Sequence, residues 1–591
     1  LRTRTTTRFL AALAVLALTA TACGAGGGGT PDAVDDPGAI DLPDDPGVID
    51  APDVPETDPG TDAPDPVDVP PDAPADAPGD EGPGDLPDDT PPDGGAIEDL
   101  PAPPERLPFA FTRPADGTPM SDAEIAAFTK KLTAFYKDVD IFGWVVRHSH
   151  GMDASNPDGM FDYALWWQDT RAIKQDGDTV TYQHYGGADN LLLRTAKVLV
   201  NAGALYLASG DPSARWVARQ YAKGIAALAM GMEYGDDDPA PYLQARAVFG
   251  VDHDYLTPDG RKVRVDYGPV KVEKFDWNAA TIPNPDNPHW GAIWVRNQRS
   301  KDDVPHLYRT IPMLHRLATE APDADVRDAA TLALEYVRGF ADDVLASGYR
   351  IRTKFADGVA VVPTNENGTV KDLASFVEFE GIDPGGECNA KLGTALIARG
   401  EPLDLDCGDG EGTPYEELAT IGHYFNYAIY RIFHVAVVAN ALYTGHYALA
   451  RTHLAGLADR VDRILTDPDM PNHQASEWIA DAAGTILAAA TVGLPLTGAE
   501  ARLIAQQYGD SVDHYRAYPY WNPWDPSVPD GEFRMIPSRN PDSCPTPPCA
   551  PAIREDEILF PFEYCASRWR NPAGARFVDC EILMDPDRWG E

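Results

Sequence analysis

The run Asn190-Leu-Leu-Leu-Arg-Thr-Ala-Lys-Val-Leu-Val-Asn-Ala-Gly-Ala-Leu-Tyr-Leu-Ala-Ser209, then Gly210-Asp211, then Pro212-Ser-Ala-Arg-Trp-Val-Ala-Arg-Gln-Tyr-Ala-Lys-Gly-Ile-Ala-Ala-Leu-Ala-Met-Gly-Met232 decides the fold. Apolar residues recur at three- and four-residue spacing on both sides of a glycine-aspartate connector, and a proline opens the second half. That is the signature of two helices folded back on one another. The same plan recurs. Asp303–Glu320 and Ala324–Ser347 flank Ala321-Pro322-Asp323. Glu416–Tyr443 and Tyr447–Thr466 flank Thr444-Gly445-His446, and Ser476–Val492 and Gly498–Tyr508 flank residues 493–497. A further helix is expected over Ser121–Asp138, with Ser121 as N-cap and Glu124 completing a capping box.

Long insertions separate the hairpins. Residues 251–275 alternate apolar and polar side chains around Pro258-Asp259-Gly260, a β-hairpin pattern. Residues 517–591 are rich in proline, tryptophan and cysteine and read as a loop-dominated, disulfide-bonded cap. The expected class is therefore mainly α: stacked antiparallel helix pairs over 106–516, with β-hairpin and loop insertions.

This layout, with connectors such as Leu207-Ala208-Ser209-Gly210-Asp211-Pro212, resembles the (α/α) toroid proteins. They include several glycoside hydrolases and polysaccharide lyases. The resemblance covers residues 120–516 and is architectural, without a family motif. It implies inner helices around an axis and a cleft at one rim, lined by loops and helix ends. A fold does not by itself imply an activity.

Four stretches carry candidate chemistry. On the helix entered at Glu416, His423, Tyr427, Tyr430 and His434 lie within about 60° of one another at 3.6 residues per turn, flanked by Asn426 and Arg431. Ile421, Phe425, Ile429, Ile432 and Phe433 occupy the opposite face. A His/Tyr pair one turn apart can act as base and acid, and both rings can hydrogen-bond hydroxyl-rich ligands. The bland alternative is a hydrogen-bonded polar core between inner helices. The second stretch runs from His289-Trp290 through Arg299, Lys301, Asp302 and Asp303 to His306. Its mixed charge and indole rings suit a sugar, while helix capping and surface ion pairs explain the same residues. The third places His473 and Glu477 just before and within a helix start. The fourth contains Trp166 and then His184 to Asp189, where Asp189 is equally an N-cap.

Residues 106–591 contain no P-loop, GxGxxG, HExxH or GxSxG pattern. No metal centre is assigned: His148 and His150 near Asp153 are a weak pair. The loop from Asp404 to Glu411 is calcium-like, but Gly408 and Asp409 exchange the fifth and sixth EF-hand positions. No cofactor is expected, with calcium in that loop as the alternative.

The N-terminus reads as an address. Arg2, Arg4 and Arg8 precede an uncharged run to Ala22, too short to span a bilayer and suited to a signal peptide over 1–22. Ala20-Thr21-Ala22-Cys23-Gly24 resembles a bacterial lipobox, although Ala20 stands where that motif prefers leucine. The resemblance implies a diacylated Cys23 and a lipid bilayer as partner, and Gly24 favours the outer membrane of the cell envelope. Residues 31–105 hold 24 Asp or Glu, 20 Pro and no Lys or Arg, the composition of a disordered tether over 23–105. Those acids, with the three arginines before them, leave −24 of the net −45 for residues 106–591. That acidity excludes nucleic acid as partner.

Seven cysteines are odd in number. Spending Cys23 on a lipid leaves Cys388, Cys407, Cys544, Cys549, Cys565 and Cys580, whose proximity suggests pairing in that order, one of 15 connectivities. The functional expectation is a lipid-anchored protein acting on polysaccharide, hydrolysis ahead of elimination. The competing expectation is a non-catalytic glycan- or protein-binding lipoprotein.

Overall fold

A computed structural model of the chain describes residues 117–147, 149–151, 163–166, 172–176, 179–183, 191–250, 254–256, 262–265, 281–296, 303–348, 350–362, 393–400, 424–466, 476–517, 533–535 and 553–591. All belong to the unit Pro52–Glu591. The signal, Cys23, the tether and the four cysteines from Cys388 to Cys549 lie outside them, as does the calcium-like loop.

The described chain is mainly helical. Its longer helices are α1 (Asp122–Asp138), α2 (Ile141–Arg147), α3 (Leu191–Ser209), α4 (Pro212–Met230), α5 (Asp303–Arg309), α6 (Ile311–Glu320) and α7 (Ala324–Ala346). They continue with α8 (Tyr424–Tyr443), α9 (Tyr447–Thr466), α10 (Ser476–Thr491) and α11 (Gly498–Ala517), then the short α12 (Phe560–Ala566) and α13 (Cys580–Leu583). The capping box of α1 forms as expected: the Ser121 hydroxyl accepts from the Glu124 backbone and the Glu124 carboxylate accepts from the Ser121 backbone. The first hairpin turns at Gly210, at φ +72°, a left-handed conformation that glycine adopts without penalty.

Two helices differ from expectation. Asp303–Glu320 is broken at Thr310 into α5 and α6 because Pro312 has no N–H for the Tyr308 carbonyl. The amide of Asn440 on α8 takes that carbonyl instead, at 3.2 Å. In contrast, α11 runs past the expected end at Tyr508 to Ala517. Tyr508, Val512 and Tyr515 continue one buried stripe across Gly509.

Side-chain pairs fix the helix directions. Along α3, Arg194 meets Asp556, Lys197 meets Glu557, and Asn201 accepts from the Glu563 backbone. Both numbers rise together, so α3 and the segment entering α12 are parallel. On α10, Gly484 lies against the Glu557 carboxylate and the Thr491 carbonyl accepts from Ser567, again in rising order. Asn440 with Tyr308 and Tyr443 with His315 make α8 parallel to α5–α6. These helices pack in turn, α3 on α5, α5 on α8, α8 on α10, α10 on α12 and α12 on α3. Their hairpin partners pack on them and on one another, α4 on α3 and α7, and α9 on α8. Arg215 meets Asp323 and Asp325 while Glu233 meets Tyr336, so α4 and α7 also run together.

α3 is long and apolar enough to cross a bilayer, yet it is enclosed by its neighbours and carries buried Arg194, Lys197 and Asn201, the marks of a core helix. Residues 553–591 share the same core, through Ile558, Leu559, Phe562 and Phe577, instead of lying over it as a cap. The Cys565–Cys580 disulfide, one of the three expected pairs, closes their loop.

One end of the helical body has short connectors: 210–211, 321–323, 444–446 and 492–497. At the other, where α3, α5, α8, α10 and α12 begin, the described parts of the long stretches 148–190, 231–302, 347–423 and 518–559 leave and enter the helices. They contribute the strands β1 (Ser149–Gly151), β2 (Ala164–Trp166), β3 (Ala172–Asp176), β4 (Thr179–Gln183), β5 (Ala247–Gly250), β6 (Asp254–Leu256) and β7 (Lys262–Val265). β8 (Thr281–Asn287), β9 (Gly291–Arg296), β10 (Thr353–Lys354), β11 (Ala360–Val361) and β12 (Phe533–Met535) follow. A seven-stranded sheet, ordered β12-β3-β4-β7-β6-β1-β2, draws on three of these connections. Its β6–β7 pair, Asp254 opposite Arg264 and Leu256 opposite Lys262, is the expected hairpin around Pro258-Asp259-Gly260. A second sheet runs β5-β9-β8.

Candidate functional site

The parallel run of α3, α5, α8 and α10 places their N-terminal ends at the long-loop end. Most sequence candidates belong there by position. Asn426, Tyr427, Tyr430 and Arg431 lie in the first half of α8, and Glu477 in the first turn of α10. His423, Asp189, Arg299, Asp302 and His473 lie outside the described residues, next to the starts of α8, α3, α5 and α10.

The candidates with described side chains are interior groups. Trp166 is wholly buried, its ring edge-on to Trp144 at 5.1 Å, and its backbone N–H donates to Thr195. Trp290 is buried edge-on to Tyr163 at 5.3 Å. Both rings pack in the interior against a neighbouring ring. His306 is buried on α5. His434, at the far end of the α8 stripe, is buried beside His453 at 5.6 Å between ring centres. Burial presses His453 down to about 3, so that ring is neutral.

Two clusters of ionisable groups stand out at the long-loop end. In the first, Arg194 and Lys197 on α3 face Glu555, Asp556 and Glu557. Asp556 is fully buried. Desolvation alone would raise its carboxyl, but Lys197 and Arg194 outweigh it and hold the carboxyl below the usual range. The phenols of Tyr136, Tyr508 and Tyr515 donate to the carbonyls of Ile558, Glu557 and Ile553, fixing the backbone on either side.

The second cluster is built where α4 ends. A helix terminus leaves its last carbonyls without intrahelical partners. Here side chains from two hairpins take the last one, Met230, and the carbonyls of the three residues that follow the helix. The Asn287 amide donates to the Met230 carbonyl at 2.7 Å, and the Asn284 amide to Gly231 at 3.0 Å and Glu233 at 2.6 Å. The Lys354 ammonium, buried and paired with Asp238, donates to Met232 at 2.6 Å, where a cation also suits the helix dipole. These bonds clamp the backbone that carries Glu233. One Glu233 oxygen accepts from the Tyr336 phenol at 2.5 Å, the other meets His289 Nε2 at 3.0 Å.

Glu335, exposed on α7, stands within electrostatic reach of Glu233. Partial desolvation, and after it the Glu233 charge, holds the Glu335 carboxyl above the usual carboxylate range. Burial and the two carboxylates likewise raise the Tyr336 phenol. Tyr242 packs edge-on to Tyr336 at 5.7 Å. It lies so close on α7 that a side chain at Gly339 would collide with its ring, at 2.3 Å.

His289 was singled out in the sequence beside Trp290. Glu233, Glu335, Tyr242 and Tyr336 were not, because no short-range pattern joins a helix end to a helix surface 100 residues later. Among the described residues no group of His, Cys, Asp and Glu is disposed to hold a metal ion. Compared with models of protein families, with curated proteins and with solved structures, the chain matches none.

Proposed function

We propose that the chain is an extracytoplasmic lipoprotein, anchored to the cell envelope through Cys23, whose helices close into an (α/α) toroid that cleaves glycosidic bonds in polysaccharide. One observation supports this reading: α3, α5, α8, α10 and α12 pack pairwise in succession, with α12 back on α3, and the described helices begin where the long connections enter them. Loops mounted on a rigid scaffold are where binding and catalysis concentrate. The described helix starts at Asp303, Tyr424 and Ser476, which adjoin or hold the candidates Asp302, His423, Tyr427 and Glu477 in sequence, support this reading. Hydrolysis is favoured over elimination because the acidic surface repels the polyanions a lyase takes.

The test is a panel of neutral and acidic polysaccharides incubated with the detergent-solubilised full-length chain. Release of reducing ends without absorbance at 235 nm is expected. Absorbance at 235 nm would turn the reading to elimination, and no product on either kind of glycan would refute cleavage. Metabolic labelling with a fatty acid should mark the chain and be lost in Cys23→Ser.

A second reading, a non-catalytic glycan- or protein-binding lipoprotein, draws on the burial of Trp166, Trp290, His306 and His434. It predicts retention of a glycan without product.

A further inference from the structure

We propose that the Cys565–Cys580 disulfide is an exchangeable bond, opened in the folded protein by a low-molecular-weight thiol that attacks Cys565 and expels Cys580 as a thiolate beside Arg570.

Three observations carry the assignment. First, the bond is not sealed in the core: Cys565, near the end of α12, and Cys580, at the start of α13, are both half-buried. Second, the two sulfurs have unlike neighbours. The loop between the helices carries three arginines. Arg568 pairs with Glu320 at 3.1 Å, and Arg576 with Asp122 at 2.8 Å. Arg570 instead lies over the Tyr564 ring, 5.4 Å from its centre, and its guanidinium donates to Cys580 Sγ. Among the described residues it has no carboxylate partner. The Asp579 carboxylate next in sequence is engaged by the Glu581 and Ile582 amides, at 2.9 and 3.3 Å. A cation beside a sulfur lowers the pKa of its thiol, and a thiol of lower pKa leaves faster.

Third, the loop is docked independently of the bond. Ser567 Oγ donates to the Thr491 carbonyl at 2.5 Å and the Ala575 N–H to the Leu496 carbonyl at 2.8 Å. The Asp579 N–H donates to the Thr129 hydroxyl at 2.9 Å, and the buried Phe577 ring packs on Tyr564 and Phe128. The bond can therefore open while both cysteines stay near one another, ready to close again.

The exchange balances through the thiol. Its thiolate sulfur bonds to Cys565 Sγ as the bond between the cysteines breaks, and the electron pair leaves on Cys580 Sγ. Negative charge in the transition state sits on the two outer sulfurs, so the Arg570 guanidinium helps most when Cys580 is an outer one. That sets the direction of attack. A second thiolate attacking the mixed disulfide completes the step: the cysteines gain two electrons, and two thiols are oxidised to their own disulfide.

The test exposes the folded full-length chain to reduced glutathione, stops exchange with excess maleimide and maps tryptic peptides by mass. Peptides 555–568 and 577–588 separate the two cysteines. Glutathione on Cys565 with maleimide on Cys580 should exceed the reverse about threefold or more. In Arg570→Gln the ratio should fall to about one and opening should slow by a similar factor, whereas Arg570→Lys keeps the cation and the preference. Thermal melts confirm that each variant folds. An equal or reversed ratio in the native chain, or an unchanged one in Arg570→Gln, would overturn the proposal. So would glutathione that enters this pair only once urea unfolds the chain.

Discussion

Two groups of carboxylates at one end of the molecule obey opposite logic. Asp556 and Glu557 are buried against Lys197 and Arg194, and Asp556 is held ionised by its cations. Glu233 instead accepts from the Tyr336 phenol and meets His289, while partial desolvation, and after it the Glu233 charge, raises the Glu335 carboxyl. The first arrangement locks residues 553–566 between α3 and α10, where they complete the packing circuit. A perturbed carboxyl is therefore informative through its direction and its neighbours, and the perturbation alone does not distinguish a brace from a working group.

The largest effect that would break this contrast lies in the brace. Asp556→Asn leaves Lys197 buried with an incomplete partner set and should cost about 3–5 kcal/mol in urea unfolding. The double variant Lys197→Met, Asp556→Leu should cost less than either change alone, since it removes both charges together. A cost under about 1 kcal/mol for Asp556→Asn would mean that the cluster is not a brace.

Next comes the clasp that holds the same segment. Replacing Cys565 and Cys580 by serine opens a loop with a sequence separation of 15, worth about 3 kcal/mol in chain-entropy terms. Urea unfolding of the oxidised and serine forms checks it. Smaller again is the Ser121 cap: Ser121→Ala should cost about 1 kcal/mol by the same measurement, because it frees an N-terminal amide of α1.

The smallest effect has the opposite sign. A carboxyl raised in the folded state contributes its stability below the unfolded value and loses it as pH rises through the folded value. Glu335→Gln should therefore be neutral to slightly stabilising at pH 7, within about 0.5 kcal/mol, and the difference should close near pH 4. Asp556 is lowered, so its contribution is present at neutral pH and fades only as pH falls below about 4, through the folded value. Urea melts of both variants against pH would show gaps of opposite sign.

Much of the helical layout was legible because helix ends announce themselves locally. Ser121 and Glu124, Gly210 with Asp211 and Pro212, and Thr444-Gly445 each set a boundary through their own backbone chemistry. The Cys565–Cys580 pair followed from proximity. What escaped depended on partners distant in sequence. The break at Thr310 is signalled by Pro312 but tolerated because Asn440 takes the freed carbonyl. The continuation of α11 past Gly509 depends on Tyr508 and Tyr515 reaching the backbone of residues 553–557. The edge-on packing of Trp166 on Trp144 and of Trp290 on Tyr163 likewise joins residues that no local pattern links. The Glu233–Glu335 pair joins α4 to α7 in space, which no spacing rule encodes.

The contrast is tested most directly by following the side-chain carboxyls of the full-length chain by carbon-13 NMR as pH is varied. The account predicts a glutamate signal, absent from Glu335→Gln, that titrates above the ordinary value of about 4.3 and moves down in Glu233→Gln. It also predicts an aspartate signal, absent from Asp556→Asn, that titrates below about 3.9. A Glu335 carboxyl that titrates at the ordinary value and ignores the loss of Glu233 would contradict it.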